Sequence, residues 1–435
     1  MTIPEFSNKS NQRRAIMSYR IFIFFCVFLF SSPMTGWSDD RSFFTFDQTG
    51  IQRNVLENYL RRSATITEFL TLDPFGVDGP YPNKEDDVRL IKNTGIKFVG
   101  RAIYRWGREH ELNDPAFLDN AKLLVEKVWA NDPDVIFQGA LFEIVTQNVN
   151  VIKIPAWAYE TLGLPVEERN FDYEKMLNPG GKFVNHWRNG SSVPDISQTE
   201  TQLWFVYLAG IYMDVGCEAF HLGQVALIGM NDPGWKHWKN LIAKLRLLAQ
   251  TKTRRGWILL DAHTPSGGMV SDGKSLLDFN SFPLRIKELP DKPQESILEM
   301  GYLDAMFGRS MGCVAPSGWT CDALPYLVEF DNFGVTRTPG QPTVTSHYIW
   351  GYDEISWLYV QSESYRQEWL KYAWHWVREH DKNAFLQMPV SRVVSLGRGG
   401  RSKFRANTKS ETMQDGLNLE TIIKEIFLHP DNRCR

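Results

Sequence analysis

Residues 326–334 read Tyr-Leu-Val-Glu-Phe-Asp-Asn-Phe-Gly, a short apolar run that ends in two acids. Leu327, Glu329 and Asp331 alternate along it, and alternate side chains of a strand lie on one face. The stretch therefore predicts a buried strand that ends in carboxylates. Because burying a carboxylate is costly without a partner, these acids either cap the following turn or have a chemical role.

Other short apolar runs resemble this one and alternate with helical segments. They cover residues 68–72, 96–102, 135–144, 217–222, 257–261, 284–287 and 384–388. Helices are expected to start at Asp114-Pro115, at the capping-box sequence Ser197-Gln-Thr-Glu200 and at Asp232-Pro233. Two more are expected over 363–380 and 419–428. Strand followed by helix, repeated about eight times, predicts parallel strands and an α/β fold of the (β/α)8 TIM-barrel type.

The chain of 435 residues, 43% of them hydrophobic, is long enough for one such barrel with a sizeable core. We expect the barrel over residues 66–435, with long loops after its strands. A polar lead-in over 39–65 precedes it and contains a helix near 52–62. An insertion at about 147–195, rich in Asn, Gly, Pro and Trp, follows the third strand, and loops of that length are usually functional or mobile.

The first 38 residues have the features of a signal peptide. Lys9, Arg13, Arg14 and Arg20 precede the apolar run 21–30, and Gly36-Trp-Ser offers small residues for cleavage. Ten apolar residues are too few to span a bilayer comfortably. The sequence therefore predicts a secreted or periplasmic protein with no membrane association after cleavage. Without residues 1–38 the formal net charge moves from -3 to -6, and nothing indicates a nucleic-acid partner.

The cysteines indicate no structural metal site. Cys313 and Cys321 flank a loop rich in Pro, Gly and Ser, and they could form a local disulfide in an oxidising compartment. The chain contains no Cys-x-x-Cys or His-x-x-x-His spacing, so the sequence does not predict a structural zinc ion. We expect no cofactor.

Reactive side chains stand at the ends of several predicted strands. Glu143 ends the third, Asp261 and His263 the fifth, and Glu329 and Asp331 the seventh. Arg101 on the second strand and Gln387 on the eighth add polar groups. Active sites of such barrels form at the carboxyl ends of the strands, so we expect these groups to share one site.

Two carboxyl groups facing each other across a cleft can hydrolyse a glycosidic bond, one as acid and the other as base or nucleophile. Tryptophans near the predicted loops could stack on sugar rings, and ordinary packing is the alternative for each of them. These are Trp106, Trp157, Trp187, Trp319 and Trp350.

The layout over residues 66–430 resembles exported TIM-barrel glycoside hydrolases, on its architecture and strand-end acids. Many retaining members carry Asn-Glu at the end of the fourth strand, whereas that strand here reads Gly-Cys-Glu218-Ala-Phe-His221-Leu-Gly-Gln224. Glu218 stands at its start, so His221 or Gln224 would occupy the rim. Glu218 is therefore a second-rank candidate for catalysis.

A basic, glycine-rich loop follows the eighth strand over residues 395–405 and carries Arg398 and Arg401. Such a loop can hold a phosphate, sulfate or carboxylate, or it is simply a solvated turn. In an exported protein, it would suit an acidic or sulfated glycan.

Together these features predict a glycoside hydrolase that acts on an oligo- or polysaccharide. Glu329 is expected as nucleophile or base, held ionised by Arg101. Glu143 and Asp261 are the leading candidates for the second carboxylate, and Asp331 for a modulator. We expect substrate binding by Arg101, Trp106, His221, Gln224, His263, Asp331, Trp350, Gln387, Arg398 and Arg401.

Two alternatives stay open at this point. Asp261, His263 and His221 could ligate a metal ion in a hydrolase or lyase, because imidazole and carboxylate suit zinc or manganese. The barrel could also bind glycans without catalysis, with its acids holding hydroxyl groups.

Overall fold

The computed structural model describes residues 41–71, 84–303, 305, 311–343 and 347–434. The expected signal peptide at 1–38 lies outside the described residues. The chain forms a mixed α/β protein around one large, curled and mostly parallel sheet of ten strands. Among the described residues, no helix combines the length and the apolar character needed to cross a membrane.

The first eight strands of the sheet lie side by side in the order of the chain, and the ninth lies beside the first. They are β1 (Ser63–Ile66), β2 (Phe98–Ile103), β3 (Ile136–Ala140), β4 (Cys217–Gln224), β5 (Leu259–His263), β6 (Asn280–Pro283), β7 (Tyr326–Glu329), β8 (Ala384–Leu386), β9 (Met388–Ser395) and β10 (Arg401–Arg405). Neighbours from β1 to β8 pair in parallel, β9 pairs in parallel with β1, and β10 pairs antiparallel with β9. The two ends of the parallel run, β8 and β9, are separated in the chain only by Gln387.

Helices connect most of the strands. They are α1 (Arg53–Arg61), α2 (Lys84–Thr94), α3 (Pro115–Trp129), α4 (Ala156–Leu162), α5 (Thr199–Val215), α6 (Val225–Ile228), α7 (Lys236–Lys252), α8 (Glu354–Val360), α9 (Glu363–His380) and α10 (Glu420–Leu428). The helix predicted over 363–380 is confirmed, and those predicted near 52–62 and over 419–428 differ by one residue at one or both ends.

The predicted helix starts have different outcomes. Asp114 caps α3 by accepting a hydrogen bond from the Ala116 N–H at 3.0 Å, as expected. Helix α5 starts inside the predicted sequence, at Thr199, but the capping-box contacts are wrong. Gln198 is the N-cap, Ser197 donates to Asp195, and Glu200 pairs with Arg169 from the preceding insertion.

The predicted first and sixth strands are displaced from the observed ones. Residues 68–71 form a turn instead of a strand, because Glu68 has φ 56° and the Phe69 and Thr71 N–H groups bond to the Ile66 and Glu68 carbonyls. The sheet uses Ser63–Ile66 instead, which is buried throughout. In the sixth unit, Asn280–Pro283 pairs with β7, whereas Ile286–Glu288 pairs with Ser296–Leu298 in a separate ribbon.

Helix α1 covers the amino end of the sheet. Its buried Leu56, Tyr59 and Leu60 pack in one cluster with inward residues at the starts of the strands. Those residues include Phe98, Ile136, Ala219, Leu259, Leu327 and Phe385. Because fully burying one such side chain contributes roughly 1.5–3 kcal/mol, this end is a packed core. The carboxyl ends of the strands are left to form a site.

The insertion after β3 is ordered and joins the main core. Val145–Thr146 pairs antiparallel with Ser191–Ser192 near its two ends, and α4 lies between them. Tyr159, Phe171 and Met176 are buried in the cluster that also holds the outer helices. The insertion therefore forms a fixed wall above β3 and β4.

Candidate active site

A cavity of about 890 Å³ opens at the carboxyl ends of the strands. Each parallel strand from β1 to β7, together with β9, contributes to its wall directly or through the loop that follows it. The lining includes Thr67, Arg101, Trp106, Phe142, Glu143, Trp187, His221, Gln224, His263, Thr264, Arg285, Asp331, Asn332 and Arg392. The cavity thus lies at the end of the sheet where the sequence predicts a site.

Glu329 lies beneath the floor of the cavity and is 2% exposed. Its Oε1 contacts Arg101 Nη2 and accepts a hydrogen bond from His263 Nε2 at 2.9 Å, while Oε2 accepts one from Arg392 Nη1 at 3.3 Å. Burial raises the pKa of Glu329, but Arg101, the His263 hydrogen bond and Arg392 outweigh it and hold the pKa well below its usual range. The predicted Arg101–Glu329 contact is confirmed, and the carboxylate is fixed as an anion.

Arg101 reaches Glu329 from a strained backbone position. Its φ is 55°, a left-handed conformation that costs energy for residues with a side chain. Its backbone N–H donates to Gln138 Oε1 at 3.0 Å, which holds the turn in place. Strain of this kind is typical of functional sites, where the surrounding contacts enforce it.

Asp261 orients His221 from behind the cavity. Its Oδ2 accepts hydrogen bonds from His221 Nδ1 at 2.8 Å and from Ser281, and Oδ1 accepts one from Gln138 Nε2 at 2.6 Å. Because a carboxylate only accepts, this geometry assigns the ring proton to Nδ1. Burial, partly offset by Asp261, lowers the pKa of His221. In this neutral imidazole Nε2 is an acceptor, and it lies 3.5 Å from Arg101 Nη2.

The two histidines of the site stand together without forming a metal centre. The rings of His221 and His263 are 5.0 Å apart in an edge-to-face arrangement. His221 Nδ1 bonds to the buried carboxylate of Asp261, and His263 Nε2 bonds to that of Glu329. Over the described ranges, no group of three or more His, Cys, Asp or Glu side chains is arranged to hold a metal ion. The geometry thus gives the metal alternative no support.

Glu143 lies on the wall formed by β3 and β4. Its two oxygens accept hydrogen bonds from the backbone and side-chain N–H groups of Gln224, each at 3.0 Å. The close approach requires Gly223, which has φ +65°, because a Cβ there would lie 2.1 Å from Glu143 Oε2. Gln224 is therefore a positioning residue for Glu143.

Asp331 lies in the loop after β7, beside a buried cluster that the sequence analysis did not predict. Its Oδ2 accepts from Arg285 Nη1 at 3.0 Å. Glu354 accepts the backbone N–H groups of Arg285 at 2.7 Å and Asp331 at 2.9 Å, and so clamps the loops after β6 and β7. Burial raises the pKa of Glu354 to about 7 and that of neighbouring Asp353 to about 6.

Aromatic residues form part of the cavity wall. Trp106 and Trp187 are 41% and 39% exposed there, and the Trp187 indole donates to the Glu143 carbonyl at 3.0 Å. The other tryptophans proposed for sugar stacking are structural. Trp350 is buried and donates to the Glu295 carbonyl, Trp319 donates to the Ile51 carbonyl, and Trp157 packs on Gly210.

Several predicted site residues lie away from the cavity. Glu218 stands at the amino end of β4 and pairs with Arg254 and Arg255, so the sheet places it at the wrong end for the site. Gln387 is buried in the sheet and accepts from Thr65 Oγ1 at 2.8 Å. Arg398 and Arg401 are exposed on the β9–β10 hairpin and do not line the cavity.

Other side chains have functional positions that the sequence prediction left out. Arg392 and Thr264 line the cavity, and Arg392 completes the cation set around Glu329. A sequence signal for Arg392 was present. Met388, Val390 and Arg392 are alternate residues of β9, so their side chains lie on the same face of the strand. The sequence Asp353-Glu354 at the start of α8 is a recognisable helix start, but its contacts with β6 and β7 depend on the tertiary fold.

The predicted cysteine pair is close. Cys313 and Cys321 are opposing residues of an antiparallel pair, and their sulfur atoms are 3.9 Å apart as free thiols.

No family model matches this chain, and no curated protein matches it. Solved structures match part of it. Among them are Amy13B of Eubacterium rectale (10% identity, TM-score 0.29, 46% of this chain and 43% of that one) and a debranching enzyme of Nostoc punctiforme (11%, 0.29, 47% and 48%). Another is an α-galactosidase of Thermus thermophilus (12%, 0.27, 52% and 44%). The match thus spans less than half of each of these three chains.

Proposed function

We propose that this protein hydrolyses a glycosidic bond of an oligo- or polysaccharide in the cavity at the carboxyl ends of its strands. The observation that carries the proposal is Glu329, a carboxylate fixed as an anion under the cavity floor by Arg101, His263 and Arg392. It gives the site a fixed electrostatic centre, and such preorganisation is usually the largest contribution to catalysis. Trp106 and Trp187 supply faces on which sugar rings can stack.

We infer that the curled sheet closes into an eight-stranded barrel at Gln387. Its backbone N–H bonds to the Val328 carbonyl of β7 at 2.8 Å, and its side chain accepts from Thr65 of β1. Gln387 lies where β8 ends and β9 begins. It contacts both β7, which is the neighbour of β8, and β1, which is the neighbour of β9. In a closed ring, β3 and β7 would stand opposite each other.

Glu143 and Asp331 are our candidates for the reacting carboxyl groups, because both line the cavity whereas Glu329 and Asp261 lie behind it. One would protonate the glycosidic oxygen while the other takes a proton from the attacking water. Since they follow β3 and β7, the proposed closure puts them on opposite sides and leaves room for that water, which favours inversion. Glu329 would act as a positioning residue that holds Arg101 and Arg392 at the cavity floor.

The expected acidic or sulfated character of the glycan rested on Arg398 and Arg401, and their position outside the cavity gives it no support. Export to the periplasm or the medium remains our proposal from the apolar run at 21–30.

A second candidate function is glycan binding without turnover. The buried positions of Glu329 and Asp261 favour it, because both acids already have protein partners. Purified protein incubated with a panel of polysaccharides separates the two functions. Hydrolysis predicts new reducing ends that E143Q and D331N each reduce by about 10²-fold or more, with R401Q as an unaffected control. Binding without new reducing ends would establish the second function, and full activity of E143Q and D331N would overturn the catalytic roles of these two acids.

A further inference from the structure

We propose that the cavity floor contains an anion subsite, where the Arg392 guanidinium and the Thr264 hydroxyl bind the carboxylate or sulfate of an acidic sugar. The inference rests on the proposed function, because it names the substrate class of the same cavity.

Two buried donors of the cavity lining lack a partner. Thr264 Oγ1 and Arg392 Nε are both buried, and neither has a hydrogen-bond partner among the described residues. Buried donors are almost always paired in native proteins, and a missing partner calls for an explanation such as an unseen ligand. A ligand in the cavity with acceptor atoms would supply such a partner.

Both donors belong to residues next to the contacts of Glu329. Thr264 directly follows His263, which donates to Glu329 Oε1, and Arg392 Nη1 donates to Glu329 Oε2. The other contacts of Arg392 are fixed as well, since Nη1 also contacts the Phe330 carbonyl and Nη2 donates to Asn332 Oδ1 at 2.6 Å. Within the part of the chain that the structure describes, the Nε–H group is therefore the part of this guanidinium without a partner.

The charges around the floor favour an anion. Among the described residues, Arg101 and Arg392 form ion pairs with one carboxylate, that of Glu329, so these two buried guanidinium groups outnumber their paired carboxylates. An uncompensated buried charge is costly.

The remaining acids near the cavity are already engaged. Asp331 and Glu354 face Arg285. Asp261 faces Gln138, Ser281 and His221, and Glu143 faces Gln224. A planar carboxylate or a sulfate on the ligand would therefore supply the missing charge and the acceptor atoms together.

Calorimetric titration of the purified protein with sodium glucuronate, glucose 6-sulfate and glucose tests the subsite. We expect at least one charged sugar to bind about tenfold tighter than glucose, and the tighter of the two identifies the anion. T264V keeps the side-chain shape and removes a hydroxyl that has no protein partner, so the fold should be preserved. We expect it to weaken binding of the charged sugar about tenfold.

R392K keeps the charge, loses the Nε–H donor and should also weaken binding, with R401Q as the unaffected control. Equal binding of glucose and both charged sugars would overturn the subsite, as would undiminished binding in T264V and R392K. An equal loss in R401Q would also overturn it, by showing that surface charge is responsible. Protein that binds charged sugars but releases no reducing ends would refute the hydrolysis alone, and cleavage of neutral glycans without charge preference would refute the subsite alone.

Discussion

Arg101, within β2, contacts the Glu329 carboxylate on β7 across the interior of the curled sheet. The two strands are not hydrogen-bonded neighbours, so this ion pair depends on the curvature of the whole sheet. Both side chains are largely buried, and breaking a buried pair is far more costly than breaking one at the surface. The pair therefore links the fold to the electrostatics of the cavity.

A first prediction concerns the tryptophans. W106A should leave the free energy of unfolding nearly unchanged, because the side chain is 41% exposed, and should raise KM roughly threefold to tenfold through lost stacking. W350A removes a buried side chain and should cost about 3–5 kcal/mol of stability. Urea unfolding and initial-rate kinetics on the same preparations measure both. Equal loss of stability in the two variants would contradict the assignment.

A second prediction follows from the pKa of Glu354, raised by burial to about 7. Between the ordinary pKa of a glutamate and pH 7 the folded protein binds more protons than the unfolded chain, so this group makes stability fall as pH rises. The contribution of Glu354 to the free energy of unfolding is greatest below the pKa of an ordinary glutamate. It is lost as the pH rises past about 7. E354Q removes the titration.

From pH 5 to pH 8 the wild type should therefore lose on the order of 2 kcal/mol more unfolding free energy than E354Q. Urea unfolding at the two pH values measures this difference. Parallel losses in the two proteins would show that Glu354 does not titrate in this range.

Gly223 offers a matched pair of backbone variants. G223A and G163A place a methyl group at similar positive φ angles, +65° and +74°, but only the first meets a neighbour, Glu143 Oε2. G163A should lose about 1–2 kcal/mol of stability, and G223A at least as much, because its methyl group must also displace Glu143. Only G223A should also lose activity, by at least about tenfold, because it displaces Glu143. Similar activity of the two variants would mean that the position of Glu143 is unimportant.

Glu218 tests the orientation of the site. Because it pairs with Arg254 and Arg255 at the amino end of β4, E218Q should cost about 1–3 kcal/mol of stability. Its kcat/KM should stay within about twofold of wild type. A large drop in the kcat/KM of E218Q with unchanged stability would instead show that Glu218 belongs to the active site.

Much of the fold could be predicted because local pattern and tertiary structure agree. The strand ending at Glu329 and the helix over 363–380 have strong local signals, and both were found where expected. The first strand could not be placed, since Ser63–Ile66 is short and lacks a distinctive pattern. The apolar Phe69 and Leu70 that suggested it are buried in a turn instead.

The site was predictable at strand ends and unpredictable elsewhere. Arg101, Glu143, His221 and His263 were expected at the cavity because a parallel sheet brings carboxyl ends together. The clamp by Glu354 was not foreseen, since it joins residues far apart in the chain through backbone N–H groups. Arg398 and Arg401 were predicted to bind substrate because their loop is basic and rich in glycine. That composition does not distinguish a ligand-binding loop from an exposed hairpin.

The most direct test of the central claim is the kcat/KM of E329Q for the glycan that the wild type cleaves, measured on protein whose folding is checked by near-ultraviolet circular dichroism. If Glu329 holds Arg101, His263 and Arg392 in their working positions, neutralising it should lower kcat/KM by about 10²-fold or more while E218Q remains active. Folded E329Q with wild-type kcat/KM would contradict the claim.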